Sequence, residues 1–295
     1  MKIGENKDLK SIGLVFDRIR FEEKVIIEKS RGKGLDIKLL DAKNFCLNLK
    51  SSDEESKAIF GDLVLQRCIS YFRGLHATAF LESKGIDVIN PLKVAQICGN
   101  KILTTLALVK AGVPTPNTLI AFSPEGVYEA IDKIGYPVVL KPIIGSWGRL
   151  VALLKDKDTT DAILEARELL NNPIHKIYYI QELVNRPPRD IRTIVVGDRV
   201  VASIYRYAPE KDWRTNVARG GKTVSAPLTK EIEDIVLKAS KAVGGGILGV
   251  DAMESPNGIL VHEVNNTVEF KGAMAAGATC IPDEILNYVI ELARR

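Results

Sequence analysis

Cysteine is scarce and scattered in this 295-residue chain: Cys46, Cys68, Cys98 and Cys280 form neither a CxxC pair nor a Cys/His cluster. That argues against a zinc site and a disulfide scaffold and fits a reducing cytosol. Long apolar runs are lacking as well. None approaches ~18 residues and no apolar leader opens the chain, so neither a membrane span nor a secretory signal is expected, and a cytoplasmic location is. Charge of one sign is not in excess. A net charge of +4 allows a phosphate ligand or an acidic partner but does not indicate nucleic acid. Two glycine signatures are missing. No GxGxxG follows the first apolar strand, which argues against a dinucleotide site, and no Gly-Lys-Ser/Thr opens a helix, which excludes a P-loop. Histidine is nearly absent too. His76, His175 and His262 stand alone, and strict strand alternation turns His262 away from its neighbour Glu263, so no histidine chemistry is expected.

What is present is ordinary in bulk, 46% hydrophobic and 26% charged, with enough chain for two or three compact units. The first ninety residues alternate short apolar strands (Ser11–Phe16, Leu35–Leu40, Leu63–Gln66, Ile86–Asn90) with helical stretches at Phe21–Arg31 and Tyr71–Lys84; Asn48–Lys57 reads as a polar loop. Strand–helix alternation implies a parallel sheet, an α/β unit. Polar groups at its strand ends, Asp17, Arg20, Arg67 and Arg73, would line its crevice, though such residues are more often solvated or structural. Asn100 can cap a helix through Val109, which puts Lys101 in the first turn, against the helix dipole; an anionic ligand nearby would relieve that.

Two later stretches carry the chemistry. Strand Pro137–Leu140 runs into Lys141-Pro142-Ile143-Ile144-Gly145-Ser146-Trp147-Gly148-Arg149, and another apolar strand follows. Gly145 and Gly148 let backbone N–H groups approach a phosphate, and Lys141 and Arg149 supply charge. Beyond it, strand Ile177–Glu182 ends in Gln181, Glu182, Leu183 and Val184, atoms suited to reading an adenine edge, and Asp190 and Arg192 share one face of the next strand. The second stretch is Gly246–Lys271, two apolar runs around Ser255-Pro256-Asn257-Gly258, a β-hairpin. Glu263 and Asn265 share a face, and a turn centred on Asn257 sets Asp251 opposite Glu263. Two carboxylates and an amide oxygen suit Mg²⁺; a one-residue slip would turn Asp251 away.

These pieces, in this order, resemble the ATP-grasp carboxylate–amine ligases over nearly the full chain. KPIIGSWGRL, QELVNRPPRDIR, TNVARGG and HEVNNTVEFK are similar to the LysX/ArgX family, sisters of the RimK-type ligases. The resemblance implies an α/β, ATP-grasp fold with an N-terminal Rossmann-like pre-ATP-grasp domain (1–95), a central subdomain with the glycine loop (96–185) and a C-terminal subdomain with the metal and substrate site (186–295). It implies ATP and Mg²⁺ as cofactors. The implied partner is the acidic carrier LysW, whose C-terminal glutamate would be joined to 2-aminoadipate, with glutamate as the alternative amino acid and a RimK-like glutamate ligase as the alternative enzyme. Homo-oligomers are usual among such enzymes. Lys101, Lys141, the loop Gly145–Arg149, Gln181–Val184, Asp190, Arg192 and Asn216 would serve the nucleotide. Asp251, Glu263 and Asn265 would hold the metal. Arg206, Val217, Ala218 and Glu269 through Ala273 would hold the amino acid, with Glu269 accepting a proton or anchoring the ammonium. After Glu269-Phe270-Lys271 the chain carries Gly272-Ala273, which departs from both the LysX and the ArgX patterns at the residues facing the amino acid.

Overall fold

The computed structural model describes residues 10–210, 212–215 and 220–295. The chain opens with β1 (Ile12–Phe16), α1 (Phe21–Gly32), β2 (Ile37–Asp41), α2 (Asp53–Phe60), β3 (Leu63–Gln66), α3 (Tyr71–Ser83) and β4 (Asp87–Ile89). Its sheet is ordered β2-β1-β3-β4 and is parallel throughout. Helix α2 corrects the expected loop at 48–57. Ser52 accepts from the Glu55 N–H, and the Glu55 side chain returns a bond to the Ser52 N–H, a capping box that starts a helix in a stretch otherwise too polar to announce one.

Helices α4 (Leu92–Cys98) and α5 (Lys101–Lys110) follow, with Asn100 capping α5. The middle of the chain is β5 (Thr118–Ala121), α6 (Pro124–Ile134), β6 (Val138–Lys141), β7 (Ala152–Leu154), α7 (Lys157–Glu168) and β8 (Tyr178–Glu182), an antiparallel sheet ordered β5-β8-β6-β7. Val127, Ile131, Leu140, Leu154, Tyr178 and Ile180 give it a core of its own. The last third supplies β9 (Arg189–Val196), β10 (Arg199–Tyr207), β11 (Lys222–Ser225), α8 (Lys230–Val243), β12 (Ile247–Ser255), β13 (Gly258–Asn265), α9 (Lys271–Ala275) and α10 (Ile281–Ala293), with sheet order β11-β10-β9-β12-β13.

That third sheet is covered on both faces. Helix α8 buries Ile232, Val236, Ala239 and Val243, a helical stripe, in a core shared with Val94, Leu108 and β12/β13. Helices α4 and α5 thus pack with the third unit rather than the middle one, and residue 95 lies inside α4. The other face shares a core with the parallel sheet: Leu14, Phe16 and Ile26 meet Ile194, Ile204, Phe270 and Ile285. The first and third units are therefore joined by burial, while the middle sheet stands opposite with a separate core. A cleft between two antiparallel sheets results. Among the described residues no single helix is long and apolar enough to cross a membrane.

Candidate active site

The β12–β13 hairpin sets Asp251 directly opposite Glu263 and Gly249 opposite Asn265. The connecting turn is Pro256-Asn257 between paired Ser255 and Gly258. That turn alone would set Asp251 opposite His262. A β-bulge intervenes: Ala252 pairs with Val261, Asp251 with Glu263, and His262 is the extra residue. The bulge restores the expected acidic pair by a different route and corrects the expectation for His262. It does not alternate to the far side but lines the same cleft as Glu263. Neither of its ring nitrogens finds a hydrogen-bond partner among the described residues. Burial, reinforced by Lys141, pushes its pKa down to about 4, so the ring is neutral.

Around Asp251 the charges interlock. Arg192 grips it with a fork, Nη2 to Oδ2 at 2.7 Å and Nε to Oδ1, and Arg206 Nη2 reaches Oδ2 at 3.1 Å. Asp190 takes Arg206 in turn, at 2.8 and 2.7 Å, and accepts from Thr215 at 2.5 Å. Burial alone would raise the Asp251 carboxyl, but Arg192 and Arg206 outweigh it and hold it far below the usual carboxylate range. Glu263 is lowered as well, burial opposing and Lys101 prevailing from 3.1 Å. The Asn265 carboxamide completes the group, its Nδ2 donating to Asp251 Oδ2 at 3.4 Å. No cluster of three His, Cys, Asp or Glu able to hold a metal occurs among the described residues. Here the third member is a carboxamide: the two ionised carboxylates are hard oxygen donors of the kind Mg²⁺ takes, and the Asn265 oxygen would join them once its amide turns over from the Asp251 contact.

The opposite wall is the loop after β6. Trp147 (φ 58°), Gly148 (φ 65°) and Leu150 (φ 55°) all take left-handed backbone, which for the two non-glycine residues is strained and marks a held conformation. Lys101 spans the two walls, donating to the Gly145 carbonyl and to Glu263, both at 3.1 Å. Lys141 is buried, donates to Gln181 Oε1 at 2.6 Å, and is pushed down to about 8 by that burial. Arg149 stacks on Trp147 at 4.9 Å, and Arg214 reaches the Gly148 and Val151 carbonyls at 3.3 and 3.4 Å. Gly145, Ser146, Trp147, Gly148 and Arg149 line one side of a cleft of about 80 Å³ whose other side carries Asp190, Arg206, Asp251 and Glu263.

Some expected residues sit elsewhere. The Gln181 amide is committed to Lys141, Thr118 and Tyr179, and the Glu182 carboxylate to the Asn117 N–H at 2.8 Å. Glu182, Leu183 and Val184 line neither the cleft nor the larger cavity beside it. Asn216, Val217 and Ala218 lie outside the described residues.

The larger cavity, about 780 Å³, continues from Asp251, Glu263, Asn265, Arg192 and Arg206 to Glu269, Lys271, Gly272 and Ala273. Phe270 is the correction here. Its ring is fully buried in the core shared with the parallel sheet and does not face the cavity. The far wall joins a residue expected in the crevice of the parallel sheet, Arg20 at the N-cap of α1, to one the sequence did not single out, Glu22 in its first turn. Glu22 accepts from the Phe270 and Lys271 N–H groups at 3.0 and 2.9 Å, and Arg20 pairs with Glu269 at 3.0 Å. The available signal was the charged run Arg20-Phe21-Glu22-Glu23 just beyond the carboxyl end of the first parallel strand, where open α/β sheets bind ligands.

A RimK-like ATP-grasp domain matches residues 98–289 and a LysX preATP-grasp domain residues 12–97. The chain belongs to the RimK-like ATP-grasp family and is an ATP-dependent ligase. Its relatives within that family include two kinds of LysW ligase. It is 40% identical over 279 residues to the alpha-aminoadipate–LysW ligase LysX of Saccharolobus solfataricus, covering 94% of this chain and 99% of the relative. It is 35% identical over 280 residues to the glutamate–LysW ligase ArgX of Sulfolobus acidocaldarius, covering 94% and 97%. The fold superposes on a RimK-domain ATP-grasp protein of Sphaerobacter thermophilus with a TM-score of 0.79 at 24% identity, covering 95% and 99% of the two chains. It also superposes on D-alanine–D-alanine ligase of Bacillus anthracis complexed with ATP, TM-score 0.68 at 20% identity, covering 97% of each chain.

Proposed function

We propose that this enzyme joins the α-amino group of 2-aminoadipate to the side-chain carboxylate of the C-terminal glutamate of the acidic carrier protein LysW, using ATP and Mg²⁺, with glutamate as a second amino-acid substrate. One observation carries the proposal: Asp251, Glu263, Lys101, Lys141 and the glycine loop converge on one cleft, which opens past Asn265 into a cavity large enough for an amino acid and a peptide end, in a chain 40% identical to a LysX and 35% to an ArgX.

A carboxylate is a poor acyl donor because its leaving group would be an oxide; phosphorylation replaces that with a good one. Phosphoryl transfer asks mainly for positioning and charge neutralisation. Lys101 and Lys141 would hold the outer phosphates under the Gly145–Arg149 loop. Asp251, Glu263 and Asn265 would hold Mg²⁺, which neutralises phosphate charge when bound. Arg192 and Arg206 keep the Asp251 carboxylate ionised and oriented. The attacking amine must lose a proton, and Glu269 faces the cavity as its acceptor or as the anchor of the ammonium. Dual specificity is supported by Gly272-Ala273. These small residues leave room at the amino acid, where one methylene is worth only about 1–3 kcal/mol of discrimination.

The test is the ATP-dependent mass shift of LysW with each amino acid in turn. The aminoadipate adduct should form with the higher kcat/KM. Release of ADP that needs neither LysW nor an amino acid, with no adduct to either, would sink the reading.

A further inference from the structure

The larger cavity has two charged ends. At the end near Asp251, Arg192 and Arg206 each commit Nε and Nη2 to the buried carboxylates of Asp251 and Asp190, and Nη1 of each has no hydrogen-bond partner among the described residues. An amino-acid carboxylate entering there would stand beside two buried, ionised carboxylates that already answer both guanidiniums. The other end is built differently. Arg20 is held from behind by Glu23, Nε to Oε2 at 3.0 Å and Nη2 to Oε1 at 2.8 Å, while its remaining nitrogen, Nη1, meets Glu269. Glu23 is fully buried and is shared with Arg67, Nε to Oε1 at 3.0 Å. One carboxylate thus serves two guanidiniums, Glu22 on the same turn brings a second buried negative charge, and the free edge of Arg20 is the cation turned to the cavity. Glu269 answers it from a side chain 44% exposed, while Glu22 fixes the backbone just after it.

We infer that the Arg20–Glu269 pair is the dock for the zwitterionic head of the amino-acid substrate, Arg20 receiving the α-carboxylate and Glu269 the α-ammonium. The inference rests on the ligase reading above and names the residues of its acceptor site. An α-amino acid carries a cation and an anion on one carbon, so it can enter between an adjacent cation–anion pair and exchange one ion pair for two, with no charge left unmatched. The side chain that must open for this, Glu269, is the exposed one. The one that must stay, Arg20, is pinned by two bonds to a buried carboxylate. Arg20 is then a substrate-binding residue contributed by the N-terminal unit, and Glu23 a positioning residue that sets the angle of its guanidinium.

The experiment is calorimetric binding of three amino acids to wild type, Arg20→Met and Glu23→Gln in the presence of a non-hydrolysable ATP analogue, followed by ligation kinetics with LysW. The ligands are aminoadipate, δ-aminovalerate (the same molecule without its α-carboxylate) and norvaline (without its side-chain carboxylate). Each variant is compared with wild type on the same ligand, so intrinsic differences between ligands cancel. Arg20→Met should weaken aminoadipate and norvaline alike, by about 10- to 100-fold, the range for a lost bond to a charged group. It should leave δ-aminovalerate within about 2- to 3-fold, and the kinetic loss should fall on KM for the amino acid. Glu23→Gln should show the same pattern at smaller size. Equal weakening of all three ligands, sparing of norvaline alone, or a rise in KM confined to the carrier would overturn the assignment. So would a wild type that binds no amino acid. Where wild type binds glutamate in place of aminoadipate, the reading of the preferred substrate fails by itself, and glutamate, γ-aminobutyrate and α-aminobutyrate run the same comparison.

Discussion

Two arginine–carboxylate clusters face one cavity, and they are wired in opposite ways. Around Asp251 two arginines and two aspartates close on one another, and each of the four side chains is at least 87% buried. Around Glu23 two arginines share one buried carboxylate, and the fourth member, Glu269, is 44% exposed. A closed, desolvated cluster holds its geometry because removing any member strands a buried charge. An open cluster with a solvent-facing member can trade that member for a ligand at little cost, because exposed pairs are worth only about 0–1 kcal/mol. The difference separates the end of the cavity suited to holding phosphate and metal in place from the end suited to admitting a substrate.

The most damaging way to probe this contrast is Asp251→Ala. It strands Arg192 and half of Arg206 in the interior, so stability should fall by about 3 kcal/mol or more, and ligation by at least about 10²-fold, since the group is asked to organise the charge of phosphoryl transfer. Glu269→Ala, at the open end, should leave stability within about 1 kcal/mol while weakening the amino acid. Urea unfolding of both variants reads the difference. Equal destabilisation would mean that the second cluster is as closed as the first.

Next in size is a pH effect at Lys141, buried behind the glycine loop and titrating at about 8. If it holds an outer phosphate, kcat/KM for ATP should decline above about pH 8, where the free enzyme loses that charge. Lys141→Arg, charged throughout, should carry the plateau higher. The stability sign runs the other way. An unfolded lysine keeps its proton to about 10.4, so between about 8 and that value the unfolded chain binds more protons and stability rises with pH. Falling kcat/KM with rising stability across one interval is a signature that general alkaline unfolding cannot mimic.

Members of both ends can be named from the sequence, Arg20 as a crevice residue and Glu269 by resemblance among them, but only at the closed end does local pattern bring them together. Asp251, Glu263 and Asn265 belong to one hairpin, and strand alternation with a turn signal brings such residues together without further information. Even there the pairing arose from two offsets, a turn half a residue earlier than expected and a bulge at His262 that compensates it. Bulges leave no mark in composition, and this one carried His262 into the cleft. Resemblance alone names Arg206 as a substrate ligand; its buried pairing with Asp190 and Asp251, 16 and 45 residues away, is not legible because only the sheet brings them together. At the open end Arg20 and Glu269 are separated by 249 positions. No periodicity links a first helical turn to a loop near the end of the chain, and the core that joins the parallel sheet to the third sheet does. Phe270 was misread for the same reason: that shared core takes its ring.

The smallest expected effect is also at the open end. Lys271 is exposed and lines the cavity beside Glu269, with its own N–H held by Glu22 and no ion pair for its ammonium among the described residues. If Arg20 takes the α-carboxylate, the side-chain carboxylate of a dicarboxylic amino acid still needs a partner, and Lys271 is placed to be a weak one. A solvent-exposed pair of this kind is worth about 0.2–1 kcal/mol. Lys271→Met should therefore reduce the preference for aminoadipate over norvaline by only about 1.5- to 5-fold, and that loss should shrink as salt is added, since an exposed pair is screened. The Arg20 contact, backed by a buried carboxylate, should depend on salt far less. A loss beyond about 10-fold at Lys271, or one indifferent to salt, would mean that this ammonium is desolvated once substrate is bound, and that the open cluster closes over its ligand into something resembling the one around Asp251.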